Sequence, residues 1–138
     1  VMGRADGVRA EIEFALRCAS EFADTVIKGI EAGEIPVRVT HNDTKINNIL
    51  FEEETGEALA VIDLDTVMPG SMLYDFGDGL RMGGSTAAED EVDLSKVTFD
   101  KEAFRCFAKG FLSQMKGKIT KRELELLPLS VKSLQCLP

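Results

Sequence analysis

The stretch His41-Asn42-Asp43-Thr44-Lys45-Ile46-Asn47-Asn48 decides how this chain is read, together with the segment Ile62-Asp63-Leu64-Asp65 that follows it. The first has the form H-x-D-x-K-x-x-N, with Asp43 and Asn48 five residues apart. The second ends an apolar run on an Asp, fifteen residues after Asn48. Working outward, Val37 to Thr40 reads as a short β-branched strand leading into the first stretch. Ile49–Phe51 and Leu59–Ile62 read as a β-hairpin whose turn lies near Glu54-Thr55-Gly56. Antiparallel pairing of those strands predicts Asn48 and Asp63 side by side at one end of the hairpin.

These residue types suit phosphoryl transfer. A lone Asp in such a loop reads as a turn residue making a local bond. In the company of His41, Lys45, Asn48 and Asp63, Asp43 reads as a catalytic base that orients an acceptor hydroxyl and takes its proton late. Asn48 and Asp63 read either as hairpin caps or as magnesium ligands. Magnesium wants hard oxygens and keeps several waters, so one amide, one carboxylate and nucleotide phosphates suffice. Asp65 is a second ligand or a support for the first. Lys45 stands where a cation would neutralise charge on the transferring phosphoryl oxygens, or it is a solvated lysine. His41, the only histidine, is assigned a structural role, its ring bonded to backbone.

Tyr74-Asp75-Phe76-Gly77-Asp78 contains a D-F-G triplet, which in protein kinases carries a metal-binding Asp. Here it follows Asp63 by twelve residues and falls in a predicted helix, Met72 to Met82. The metal role therefore goes to Asp63, and Asp75 is expected to support the Asp43 loop through its backbone. Asp78 and Arg81, at i and i+3, read as an ion pair, with substrate contact as the lesser reading.

The remaining pattern is helical. Val8 to Glu31 carries apolar residues at helical spacing from Val8 and Ile12 to Ile27 and Ile30, with Gly33 as C-cap and Pro36 blocking continuation. Met68-Pro-Gly-Ser71 reads as a turn, and Gly83 to Asp93, with Glu89, Asp90, Glu91 and Asp93, as an exposed mobile loop. Asp100 reads as the N-cap of a helix to about Met115, with Phe99 and Phe104 as a hydrophobic staple. Thr120-Lys-Arg-Glu123 fits a capping box for a last helix that Pro128 interrupts or restarts. The fold class is α+β, mainly helical, with a small hairpin carrying the two acidic loops.

At 138 residues, 44% hydrophobic and 29% charged, the chain suits one soluble domain. A net charge of −8 makes nucleic acid and anionic membranes poor partners. No apolar run is long enough for a membrane span and no secretory signal opens the chain. Cys18, Cys106 and Cys136 are odd in number and at no metal spacing, which predicts a reduced, cytoplasmic protein with buried thiols. None has the C-x-P-x-R context of a sulfatase nucleophile.

The H-x-D-x-K-x-x-N and I-D-x-D pair resembles the aminoglycoside/choline phosphotransferase family, which has a protein-kinase-like fold. The longer strings Thr40 to Phe51, Val61 to Gly70, Tyr74 to Asp78 with Arg81, and Thr86 to Lys96 look like its N-acetylhexosamine 1-kinase branch. The resemblance is strong over roughly Val37 to Met115. It implies ATP and magnesium as cofactors, a small sugar as acceptor at its anomeric hydroxyl, Asp43 as base, and Asn48 and Asp63 as magnesium ligands with Asp65 in the same signature. That family carries a glycine-rich phosphate loop in an N-terminal lobe, and no G-x-G-x-x-G precedes Asp43. The expectation is a partial C-terminal lobe without its nucleotide-binding lobe, inactive alone and self-associating through the exposed lobe interface. Another acceptor (choline, an aminoglycoside or homoserine) and a non-catalytic binding lobe are the alternatives.

Overall fold

The structure is a computed structural model that describes residues 7–87 and 91–134. The long helix α1 (Arg9–Glu31) ends where Gly33 takes φ +72°, a left-handed value that glycine adopts without a Cβ penalty. Strand β1 (Arg38–Thr40) follows, then hairpin strands β2 (Ile49–Phe51) and β3 (Ala58–Val61), and strand β4 (Met68–Gly70). Helices α2 (Met72–Gly83), α3 (Lys101–Met115) and α4 (Lys121–Leu134) complete the chain. The architecture is α+β, with two small antiparallel sheets, β1–β4 and β2–β3.

The helical body holds the core. Leu73, Phe76 and Leu80 on α2 pack with Leu126, Leu127 and Val131 of α4, joined by Val26 of α1 and Ile35. Phe107 and Phe111 of α3 close over Phe76, with ring centroids 5.7 and 5.1 Å away. Full burial of each such side chain contributes about 1.5–3 kcal/mol.

Local signals explain the helix starts. Asp100 accepts from the backbone N–H of Glu102 and Ala103, and the Phe99 and Phe104 rings meet at 5.7 Å. The Thr120 N–H donates to Glu123 Oε2 at 2.8 Å while the Glu123 N–H donates to Thr120 Oγ1 at 3.1 Å, a reciprocal capping box. Ser71 caps α2 by accepting from the Leu73 N–H.

Several expectations need correction. Met68-Pro-Gly is the strand β4, paired Arg38↔Gly70, Val39↔Pro69 and Thr40↔Met68. Proline's fixed φ suits extended backbone at the edge of a two-stranded sheet, where a missing N–H is tolerated. Pro128 lies inside an unbroken α4, whose continuity is maintained by the buried Leu126, Leu127 and Val131 on either side. The apolar stripe of α1 goes inward only in part. Cys18 and Val26 are buried, but Val8, Ile12 and Leu16 are exposed because the helix meets α4 over a limited stretch. Cys106 is exposed rather than buried, and Cys136 lies outside the described residues.

Beyond α2 the chain is stapled back on itself. The Thr86 N–H donates to the Thr98 carbonyl at 3.1 Å and the Asp100 N–H to the Gly84 carbonyl at 2.9 Å. Glu91 and Asp93 flank Lys96 at 3.6 Å each, while Glu89 and Asp90 lie outside the described residues. Among the described residues no helix is long and apolar enough to cross a membrane.

Candidate active site

Both acidic loops spring from short strands. The hairpin register is Ile49↔Val61, and the Ile62 N–H donates to the Asn48 carbonyl at 2.9 Å. Asn48 and Asp63 thus leave the same end of the hairpin, at the positions expected from spacing. Gly56 at φ +70° makes the tight turn at the other end. Asp63 itself takes a left-handed conformation, φ 63° and ψ 56°, and starts a single 3₁₀ turn over Leu64–Thr66.

On the His41–Asn48 loop the Asp43 carboxylate is held from one side. Lys45 Nζ lies 2.9 Å from Asp43 Oδ2, and Asn48 Nδ2 donates to the same oxygen at 2.8 Å. Asn48 Nδ2 also donates to the Asp43 carbonyl at 2.8 Å. The Lys45 hydrogen bond, seconded by Asn48 and opposed by partial burial, holds the Asp43 carboxyl below its ordinary range. Among the described residues Oδ1 has no hydrogen-bond partner, and the side chain is partly exposed.

The loop backbone rests on α2. Asp75 accepts the His41 N–H at 3.0 Å and the Asn42 N–H at 2.8 Å, one on each oxygen. Thr44 Oγ1 donates to the Asp75 carbonyl at 2.7 Å and reaches Asp78 Oδ2 at 3.4 Å. Asp78 in turn accepts from Arg81 Nε at 3.2 Å and pairs with its Nη2 at 3.1 Å. Asp75 therefore supports the loop through its backbone and Thr44.

The two loops also bond to each other. His41 Nε2 donates to the Ile62 carbonyl at 3.0 Å, since a carbonyl can only accept. The buried Nδ1 has no partner among the described residues. Asn42 Nδ2 donates to the Thr66 carbonyl at 3.0 Å, and Thr66 Oγ1 donates to the His41 carbonyl at 2.7 Å. Sequence reasoning missed Asn42 and Thr66. The available signal is Asn42 at φ 64°, a conformation that Asn tolerates better than most residues, but spacing alone does not show it.

Gly70 is needed where β4 passes this corner. A Cβ there would fall 2.5 Å from Thr40 Oγ1 and 3.3 Å from Asn42 Oδ1. Gly70→Ala is expected to cost about 1–3 kcal/mol by overpacking, read as a lower urea midpoint. An unchanged midpoint would mean that β4 moves freely.

Among the described residues no three His, Cys, Asp or Glu side chains gather as a metal-ligand group. A magnesium-type site does not require one. Both hydrogens of the Asn48 amide are engaged by Asp43, which leaves the amide oxygen as the atom able to ligate a cation. Asp63 and Asp65 are exposed and make no ion pair among the described residues. This set of hard oxygens fits a magnesium ion that completes its shell from phosphates and water.

An ionised Asp, a lysine, a buried amide and two open carboxylates on adjoining loops form the group set of a phosphotransferase. The family model of the phosphotransferase enzyme family matches residues 3–107, well over half of the 138 residues. The chain belongs to that family.

Proposed function

We propose that this chain is the catalytic lobe of an ATP- and magnesium-dependent kinase of small alcohols, with the anomeric hydroxyl of an N-acetylhexosamine as acceptor. One observation carries the reading: Asp43 is fixed on its Oδ2 side by Lys45 and Asn48 at 2.9 and 2.8 Å, which leaves Oδ1 for a substrate. Asp43 orients the acceptor hydroxyl and receives its proton as the acceptor oxygen bonds to the γ-phosphorus and the bond to ADP breaks. Lys45 offsets negative charge on the transferring group. Asn48 and Asp63 would hold a magnesium ion, with Asp65 in support, and the ion would supply charge neutralisation to the nucleotide phosphates. Asp75 supports the loop from below. The sugar acceptor rests on the likeness of the Thr40–Phe51 and Val61–Gly70 strings to N-acetylhexosamine 1-kinases. A cationic acceptor such as choline or an aminoglycoside is the second reading, favoured by the net charge of −8.

The full-length protein assayed with ATP, magnesium and a panel of alcohols separates these. N-acetylhexosamines should give the highest kcat/KM. A better cationic alcohol selects the second reading, and turnover of none selects a binding lobe. A further expectation concerns pH. Lys45 helps to keep Asp43 ionised, so the acid limb of kcat/KM lies below the ordinary aspartate value of 3.8. Lys45→Met should raise that limb and lower kcat about tenfold or more. An unmoved limb would count against the Lys45–Asp43 coupling.

A further inference from the structure

We infer that Asn42 and Thr66 are positioning residues, a reciprocal clamp that sets the spacing between the Asp43 loop and the Asp63 turn; the inference rests on the function proposed above. The two loops are connected in sequence only through the β2–β3 hairpin, whose strands are three and four residues long. Pairing at the base of that hairpin ends with the Ile62 N–H to Asn48 carbonyl bond. Beyond it, Asp63 to Thr66 is exposed apart from the half-buried Thr66, so little apolar packing orients the turn. The clamp supplies that orientation beyond Ile62, where the His41 Nε2 bond to the Ile62 carbonyl ends. The Asn42 side chain bonds to the backbone carbonyl of Thr66, and the Thr66 side chain bonds to the backbone carbonyl of His41, the neighbour of Asn42. Each residue thus fixes the other's backbone, one position before Asp43 on one side and three after Asp63 on the other.

The clamp is itself anchored at both ends. The Asn42 N–H is held by Asp75 at 2.8 Å on α2. Asn42 Oδ1 lies 3.0 Å from Thr40 Oγ1, and that same hydroxyl lies 3.0 Å from the Met68 carbonyl of β4. Thr40 is only 2% exposed, so this end of the network is shielded from competing water. Hydrogen bonding is therefore continuous from α2 through Asn42 to Thr66, three positions after Asp63. Neither Asn42 nor Thr66 needs to touch substrate. Their effect would come through the relative placement of the base and the metal ligand, where errors of about 1 Å can cost up to ~10²-fold in rate.

The left-handed backbone of Asn42 allows a clean test. Asn42→Gly removes the side-chain clamp while keeping φ 64° accessible at no steric cost. Thr66→Val keeps the β-branched shape and removes the hydroxyl, and Thr66→Ser keeps the hydroxyl. Each variant of the full-length protein is measured for kcat and KM per folded molecule, and for manganese affinity by electron paramagnetic resonance with ATP present. Asn42→Gly and Thr66→Val should each lower kcat about tenfold with the acceptor KM held within about twofold, and should weaken manganese binding several-fold. Thr66→Ser should recover both quantities. The double variant should lose less than the product of the single losses, since the two bonds act as a unit. Unchanged kcat and manganese affinity in folded Asn42→Gly and Thr66→Val, with only a lower melting midpoint, would overturn the inference while leaving the proposed function intact. No phosphoryl transfer by the wild-type protein would overturn both.

Discussion

Asp43→Asn is expected to lower kcat of the full-length protein by about 10²–10⁴-fold with little change in substrate KM. Asparagine keeps an oxygen for the Asn48 amide but cannot accept a proton, and it removes the negative charge that faces Lys45. The fold should survive, because the pair is partly exposed, with side chains at 33% and 26%, and such pairs contribute about 1 kcal/mol or less. A folded variant with near-normal turnover would remove Asp43 from the chemistry.

Arg38→Met is the change expected to damage stability most, by about 3–5 kcal/mol. The Arg38 guanidinium donates to Glu123 through Nε at 2.8 Å and Nη2 at 2.9 Å, and Nη2 also donates to the Lys118 carbonyl at 2.6 Å. Glu123 is 0% exposed, so the variant leaves a carboxylate buried without its counterion. The fork matters because Val39, the central residue of β1, is 81% exposed and adds little apolar anchoring. The pH dependence has a definite sign. Burial pushes the Glu123 carboxyl up, but Arg38 and the Thr120 N–H together outweigh it and hold it below its ordinary 4.5. In the wild type this contribution is fully present above pH 4.5 and is lost as pH falls through the lower folded value. In Arg38→Met only the upward push of burial and the Thr120 bond remain. The stability gap between the two proteins should therefore narrow as pH falls from neutral toward the wild type's lowered folded value. A gap that stays constant from neutral pH to pH 4, measured by urea denaturation, would contradict this.

The parts of the molecule legible in the sequence are those fixed by neighbours in the chain. The Asp100 cap, the Phe99–Phe104 staple and the Thr120–Glu123 box each depend on residues three to five apart, and each forms as expected. The end of the β2–β3 hairpin also has the expected register, with Asn48 and Asp63 leaving it at the same end. Strand β4 was hidden because Met-Pro-Gly has turn composition, and its partner β1 lies thirty residues away. The Asn42–Thr66 clamp was hidden for a related reason: it joins positions twenty-four apart through backbone carbonyls, which leave no residue signature. Glu123 was legible as a cap but not as the buried partner of Arg38, eighty-five positions distant. On α1 the helical period was correct, yet period alone cannot say how much of a stripe is covered.

The most direct measurement is phosphorus NMR of the full-length protein with ATP, magnesium and N-acetylglucosamine, beside the Asp43→Asn variant. The account predicts that the wild type consumes the γ-phosphate signal and builds a sugar 1-phosphate resonance, and that the variant does so at least about a hundredfold more slowly. Loss of the γ-phosphate to water alone, or equal product from both proteins, would contradict it.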